Sequence, residues 1–327
     1  MKILQIHLSV NRGGAYSSVV NLSKGFLKLG HNSINIFNNP LEELYKFNYD
    51  FVLLHSFQGR YVDDYLESVN FLEKNNIPYI VLLHDYWPIC HQTNLIRSFD
   101  GLRECSVGVD NCDPIKCGMY DNVYSLDHID FRKIKDIYNI IKDSKSVCFN
   151  NYSVNIFKKN NFSNIKMIHH GIDLDLFRPI DMKKDGFSVL FTNAWGKKEL
   201  KGYKHWKWIK EKVSGVSFLE LLGDETIEQM PYFYNRGDYF LFLSLWPETF
   251  GLTVLEALAC NVPIISYDVG IASEIIKNGE NGYLVNNVLE IKDILDRGKP
   301  EMYNIRDSVK EFTLENMCEK YIEFIGD

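Results

Sequence analysis

The stretch SLWPETFGLTVLEALACNVPIISYDVG (244–270) decides the fold. It begins at the end of an apolar run, DYFLFLSL (238–245), and passes through a loop that carries Glu248 and Gly251. It continues as an apolar helix from Leu252 and leaves through a second run, VPIISYD (262–268). A strand that is apolar at nearly every residue has both faces covered, as in a parallel sheet. A helix between two such strands is the crossover that parallel pairing requires.

The same alternation extends outward. Before it come SVLFTNA (188–194), a helix from Tyr203 to about Val213, VSFLELLG (216–223) and a helix over 225–236; after it come a helix over 272–278 and two C-terminal helices. GIDLDLFRPIDMKKDG (171–186) is polar, holds Gly and Pro, and reads as a domain boundary. An earlier series precedes it. KILQIHLS (2–9) is a strand, NRGGA (11–15) a glycine loop, and YSSVVNLSKGFLKLG (16–30) a helix stopped at Gly30. SINIF (33–37), DFVLLHS (50–56), YIVLLHD (79–85), SVCFN (146–150) and IKMIHH (165–170) are strands, with helices over 60–75, near 128–143 and near 151–160. Residues 86–126 form one long loop.

The expectation is an α/β protein of two Rossmann-like, doubly wound parallel-sheet domains facing a central cleft. Residues 1–170 form the first, 171–186 the linker, 187–302 the second, and 303–327 a C-terminal helix that packs back on the first domain. Ligands in such sheets bind at the carboxyl ends of the strands. Those ends lie after Leu8, Ser56, Asp85, Ala194, Gly223 and Leu245.

Composition sets the outer bounds. The chain has 327 residues, 46% hydrophobic and 14% aromatic, which is ample to build a core and argues against disorder. The formal charge of −7 excludes a nucleic-acid coat. No apolar run approaches the ~18 residues that span a bilayer. The opening MKILQIHLSV reads as a first strand rather than a signal peptide. Seven cysteines without a secretion signal point to a reducing, cytoplasmic setting.

The chemistry sits in the opening stretch. Gly251 permits close backbone approach just before the helix. The first helical amides, near Leu252, Thr253 and Val254, have no intrahelical acceptors and form a phosphate site aided by the helix dipole. Glu256 lies a turn further in. A carboxylate beside phosphates is repelled unless donors lie between them. The vicinal hydroxyls of a ribose are such donors for Glu256, and a sugar hydroxyl is one for Glu248. Alone, two Glu eight apart also fit a solvated helix carboxylate plus a loop carboxylate.

The surrounding residues favour the functional reading. Glu248 to Glu256, with ETFGL, LEALAC, VPII and GENGYLV (279–285), resembles the E-x7-E signature of retaining GT-B glycosyltransferases of family 4. GIDLDLFRP (171–179) looks like that family's linker, and NRGGA like its first glycine loop, so the resemblance covers nearly the whole chain. It implies a UDP- or GDP-sugar as donor substrate, no required cofactor and no metal in catalysis. Glu256 would hold the ribose, and Glu248 with the amides of Phe250 and Gly251 the transferred sugar. The Leu252 and Thr253 amides would hold the diphosphate, and Gly13 and Gly14 would close over it. His84, after the YIVLLHD strand, takes the family's position near the reacting sugar. His55 matches less specifically and equally fits a hydrogen-bonded strand-end histidine.

The family also places an Arg and a Lys after the first strand of the second domain. Here FTNAWGKKELKGYKHW (191–206) offers Lys201-Gly202 for the Lys-Gly pair and no Arg; Lys197 or Lys198 stands in its place as a point charge. His170 stands where the family's linker commonly has Asn, and Asn261 where Gly is common. The implied reaction moves a hexosyl group to a hydroxyl of a glycan, lipid-linked or protein acceptor. The alternatives are a non-catalytic nucleotide-sugar-binding subunit and a sugar transferase acting on nucleic acid. A lipid-linked acceptor would bring peripheral membrane contact.

Three features stand outside this scheme. Seven lysines lie between 197 and 212, against Glu199 and Glu211, and fit either a solvated helix face or an anion-binding surface. Cys90, Cys105, Cys112 and Cys117 share the long loop, with His91 as a spare ligand, and fit a structural zinc or free thiols. The DLD at 173–175 belongs to the linker motif rather than to a metal–nucleotide site. A dinucleotide G-x-G-x-x-G after the first strand, a P-loop and a G-x-S-x-G elbow are absent from the sequence.

Overall fold

The computed structural model describes residues 1–7, 13–37, 40–46, 48–56, 61–90, 95, 131–184, 186–192, 198–221 and 225–326. The chain divides into two compact units, Met1–Gly171 with Leu314–Asp327, and Ile172–Thr313. The polar stretch 171–186 thus lies almost wholly with the second unit. The terminal stretch 303–327 is shared. A 3-10 helix over Ile305–Val309 stays in the second unit, and the last helix belongs to the first.

The first unit is built on β1 (Lys2–Ile6), β2 (Asn32–Ile36), β3 (Phe51–His55), β4 (Tyr79–Leu82), β5 (Ser146–Cys148) and β6 (Ile165–Met167). All pair in parallel, in the order β2-β1-β3-β4-β5-β6. β3 and β4 are buried at every residue, as their apolar runs require. Helices α1 (Gly14–Lys28), α2 (Pro40–Lys46), α3 (Val62–Lys74), α4 (Phe131–Ile141) and α5 (Asn151–Lys159) connect the strands.

The second unit holds β7 (Ser188–Thr192), β8 (Ser217–Leu221), β9 (Tyr239–Phe242), β10 (Ile264–Tyr267) and β11 (Gly282–Val285), parallel in the order β11-β10-β9-β7-β8. Its helices are α6 (Tyr203–Lys212), α7 (Met230–Tyr234), α8 (Leu252–Ala259), α9 (Ala272–Ile275) and α10 (Val288–Asp296). Numbered within each unit, both sheets share the order 2-1-3-4-5, and the first unit adds a sixth strand beyond the fifth. The winding direction reverses between the first and third strands, and ligands of such sheets bind at that switch point. It lies between β1 and β3 in one unit and between β7 and β9 in the other.

The last helix, α11 (Leu314–Gly326), packs against α1. Their approach is close because Gly25 has no side chain: a Cβ there would lie 2.5 Å from Cys318 Sγ and 2.6 Å from Leu314 O. In the second unit, Arg306 ties the former linker down. Its guanidinium donates to the carbonyls of Phe177, Ala259 and Leu174. Asn235 adds bonds to Ile180 N (2.8 Å) and Arg178 O (2.9 Å).

Some elements differ from the sequence reading. α2 and β11 were not anticipated: each is short, with four to seven residues between turn signals. The helix expected over 225–236 contracts to Met230–Tyr234, with Pro231 in its first turn, and the one over 272–278 to Ala272–Ile275. Among the described residues no helix is long and apolar enough to cross a membrane.

Candidate functional site

In the second unit the site assembles around the end of β9. Leu245 N donates to Leu200 O at 2.7 Å, which binds the loop after β9 to the segment after β7. Gly202 (φ +76°) follows in the left-handed region, pressed against the Leu243 backbone. Lys201 is thereby set against Glu248, and its ammonium donates to Glu248 Oε1, which also accepts from Ser244 Oγ. Glu248 is 5% exposed, so its charge is compensated inside the fold by Lys201 rather than by water. Lys201 Nζ also lies 5.6 Å from the centre of the Trp246 ring.

The loop then turns at Gly251 (φ +106°), which caps α8. An L-residue is strained at that angle, and its Cβ would meet the Phe242 ring at 2.8 Å. Gly270 (φ +59°) seals the other side, where a Cβ would lie 2.8 Å from Glu248 Cβ and strike Phe250 O. Phe250 O accepts from Ile271 N at 2.7 Å. Phe250 and Leu252 are buried; Thr253 is half-buried at the open first turn. One expectation needs correcting: the Val254 amide is occupied, donating to Gly251 O at 3.0 Å in a tight first turn.

Glu256 is 7% exposed on α8 and accepts from Tyr234 OH at 2.7 Å through Oε2. Burial pushes its carboxyl up to about 7, and the Tyr234 bond pulls it back down. Burial beside Glu256 holds the Tyr234 phenol well above its ordinary value, so it remains the donor. Just past α8, Asn261 takes φ +61°, a left-handed angle that Asn tolerates better than most residues, which explains how it fills a position where Gly is common. Lys198 Nζ lies over the Tyr203 ring at 5.3 Å. Lys197 is outside the described residues. On α6 the aromatic partner of the lysines turns inward: Trp206 is fully buried, stacks on Phe191 at 4.9 Å and donates to Glu220 at 2.9 Å.

In the first unit, Gly13 caps α1 and Gly14 opens it; both are exposed, and a Cβ at either would meet nothing among the described residues. The ends of β1, β3, β4 and β6 bring four histidines together with Phe149, which follows β5. His55 Nδ1 lies 2.8 Å from His84 Nε2, and His55 Nε2 lies 3.0 Å from Gln5 Oε1. The His55 and His84 rings stack at 5.0 Å, His84 and His170 at 5.7 Å, and His170 and Phe149 at 3.9 Å. His7 meets His55 edge-on at 5.8 Å. His170, in the place of the linker Asn, is buried in this stack and bonds Ser18 Oγ at 3.3 Å. Of the four rings, His84 alone is half-buried rather than buried. Burial pulls His7 down to about 4 and His170 to about 3, and holds His55 and His84 well below the ordinary value. The cluster is therefore neutral near pH 7.

Ser244, Tyr234, Gly270 and Gln5 were not singled out from the sequence. Ser244 alone carried a local signal, four residues before Glu248. Cys90 is buried, and Cys105, Cys112, Cys117 and His91 lie outside the described residues. No group of three or more His, Cys, Asp or Glu among the described residues could hold a metal ion.

Comparison with known proteins gives a family match in the second unit. Residues 196–298 match the model of glycosyl transferases group 1. A probable sucrose-phosphate synthase of Thermosipho melanesiensis is 28% identical over 149 residues, covering 43% of this chain and 35% of that relative. The match thus spans about a third of the relative's length. Among solved structures, the sucrose-phosphate synthase of Thermosynechococcus elongatus has a TM-score of 0.69 at 14% identity, over 99% of this chain and 98% of that one. Anabaena HepE in complex with UDP-glucose has a TM-score of 0.67 at 15% identity, over 100% and 99%. The fold of two Rossmann-like parallel-sheet domains is shared with these GT-B glycosyltransferases over their full length.

Proposed function

We propose that the protein is a retaining glycosyltransferase that moves a hexosyl group from a nucleoside-diphosphate sugar to a hydroxyl acceptor in glycan or glycoconjugate synthesis. The observation that carries this reading is the pair of buried glutamates, Glu248 and Glu256, flanking a left-handed glycine at the start of α8, with Lys201 joined to the first.

Each role follows from chemistry. Glu256 accepts the ribose hydroxyls, while Tyr234 holds its other oxygen. The amides of Leu252 and Thr253 and the Lys201 ammonium neutralise the charge that grows on the departing diphosphate. Lys197 or Lys198 supplies a second cation. Glu248, with the amides of Phe250 and Gly251, takes hydroxyls of the transferred sugar. Gly13, Gly14 and His84 serve the same reaction from the first unit, with His84 at the reacting sugar. The acceptor hydroxyl attacks on the face from which the diphosphate leaves and passes its proton to the leaving phosphate oxygen. The protein supplies position and electrostatics, without a resident metal or cofactor in any step.

UDP-glucose is the first donor to try, because a structural neighbour binds it. The test is release of UDP or GDP from a panel of nucleotide-sugars, with and without simple glycan acceptors. We expect turnover of one donor, lost by about 10²-fold or more in Glu248→Ala and Glu256→Ala, the scale of losing an aimed electrostatic contact. Saturable binding without release under every condition would favour a non-catalytic binding subunit. Absence of both binding and release would refute the reading.

A further inference from the structure

Tyr234 ends the short helix α7 as a fully buried phenol, and its hydroxyl donates to Glu256 Oε2 across 2.7 Å. Three rings hold the phenol in place. Phe240 of β9 meets it edge-on at 5.6 Å, Phe233 edge-on at 5.8 Å, and Phe177 lies tilted against it at 6.3 Å. The next residue fixes the end of the helix: Asn235 donates to Arg178 O and accepts from Ile180 N. The Tyr234–Glu256 bond runs one way. Burial beside Glu256 keeps the phenol protonated, and a carboxylate oxygen accepts.

The other charged and titrating groups around Glu256 are engaged elsewhere. Cys260, one turn along α8, has its thiol pushed up to about 12 by burial and by Glu256, so it stays neutral. Arg306, from the 3-10 helix packed on α8, donates to three main-chain carbonyls. Tyr267 of β10 bonds His205, and Glu248 in the loop before α8 is paired with Lys201. Among the described residues Glu256 takes a side-chain hydrogen bond from Tyr234 alone, at Oε2 and not at Oε1.

We propose that Tyr234 is a positioning residue: by pinning Oε2 it makes Oε1 the single oxygen that Glu256 presents, an acceptor for both hydroxyls of a vicinal diol. One carboxylate oxygen has two lone pairs and can take both hydroxyls. The last torsion of a glutamate is soft, so an unpinned carboxylate would lose that direction. The bond also favours the ionised form inside a buried site, and removing it raises the carboxyl above its present value of about 7. A ligand that needs the ionised form then binds more weakly at neutral pH. That the diol belongs to a nucleoside diphosphate rests on the transferase reading; the pinned carboxylate does not.

The experiment uses Tyr234→Phe, which removes one oxygen and keeps the ring. Carbon-13 NMR of the glutamate carboxyls, with Glu256 assigned from Glu256→Gln, reads its protonation without any ligand. The midpoint is expected near 7 in the wild type and about one pH unit or more higher in Tyr234→Phe. An unmoved midpoint overturns the proposal, because a phenol that merely fills the core leaves the carboxyl alone. Where the variant fails to fold, the wild type decides: the Tyr234 Cζ shift should move through the Glu256 midpoint and lie still in Glu256→Gln, and a shift that ignores pH overturns the pinning. Calorimetry with UDP and GDP is the second arm. At pH 7 the better ligand should bind Tyr234→Phe about fivefold more weakly, the drop in ionised fraction for a shift of one unit, and recover most of the loss at pH 9. The same nucleotide lacking both ribose hydroxyls should bind both proteins alike; an equal loss there overturns the role of Oε1. A raised midpoint in a protein that binds neither nucleotide refutes the transferase reading and leaves the pinned carboxylate standing.

Discussion

Replacing Glu256 with Gln removes a proton equilibrium while keeping the shape of the side chain and an oxygen for the Tyr234 hydroxyl. In the folded protein burial raises this carboxyl from the ordinary 4.5 to about 7. At 1.36 kcal/mol per pH unit, ionising it in the fold costs about 3 kcal/mol more than ionising it in the unfolded chain. The sign follows from proton counting. Below pH 4.5 both states hold the proton and the group contributes nothing. Between 4.5 and 7 the folded state keeps a proton that the unfolded state has lost, so stability falls as pH rises. Above 7 the penalty is complete and constant. The stability of the wild type relative to Glu256→Gln should therefore drop by about 3 kcal/mol from pH 4.5 to 7.5, roughly 6–12 °C in the transition of a unit this size. Other titrating groups cancel in the difference. The assay is thermal and urea unfolding followed by tryptophan fluorescence, since Trp206, Trp208 and Trp246 all lie in the second unit. A difference that stays flat across this range refutes the buried-carboxylate account. Donor binding supplies a second arm. A ribose diol donating to the carboxylate selects its ionised form, so affinity should rise about tenfold per pH unit up to 7 and level off above it. A flat binding profile with the expected stability profile would refute the ribose assignment alone.

Gly270→Ala forces a left-handed angle on an L-residue, at roughly 1–2 kcal/mol, and drives a Cβ into Phe250 O and Glu248 Cβ, at roughly 1–3 more. Unfolding measurements should show the second unit weakened by about 2–5 kcal/mol and donor turnover should fall with Glu248 displaced; a variant as stable as the wild type contradicts the geometry. Gly25→Ala separates propensity from packing. In an isolated helix Ala is better by about 0.5–1 kcal/mol, but here its Cβ meets Cys318 and Leu314, so a net loss of roughly 1–3 kcal/mol is expected. Hydrogen exchange should quicken across 314–326, and a gain in stability would show that α11 does not dock against α1 as described.

What the sequence made legible was whatever depends on neighbours along the chain. Apolar runs such as YIVLL and YFLFLSL bury both faces and announce central parallel strands. The spacing of Glu248, Gly251 and Glu256 fits within one strand, loop and helix, so all three could be named together. Lys201 could be placed only through its Lys-Gly pair. The partners that set the chemistry arrive from elsewhere. Tyr234 reaches Glu256 from α7, and Gly270 closes on Glu248 from the far side of β10. Gln5 meets His55 only because β1 pairs with β3, and no period or spacing in either strand announces that meeting. α2 and β11 escaped because four to seven residues hold too few periods to separate from loop.

The shared strand order gives these contacts a common cause. In each unit the winding reverses beside the first strand, which opens a gap between two strand ends that no crossover helix covers. In the first unit β1 and β3 flank that gap and supply Gln5, His7, His55 and Ser56, with His84 from β4 beside them. In the second, β7 and β9 flank it and lead to Lys201, Ser244 and Glu248. The same topology carries opposite electrostatics. Burial strips the histidines of charge, whereas Lys201 and Glu248 meet as an ion pair. A neutral cluster suits the handling of hydroxyls, and a charged pair beside a helix start suits the handling of a diphosphate. On that ground the proposed reaction assigns the leaving diphosphate to the second unit, whose interior pairs and so retains charge.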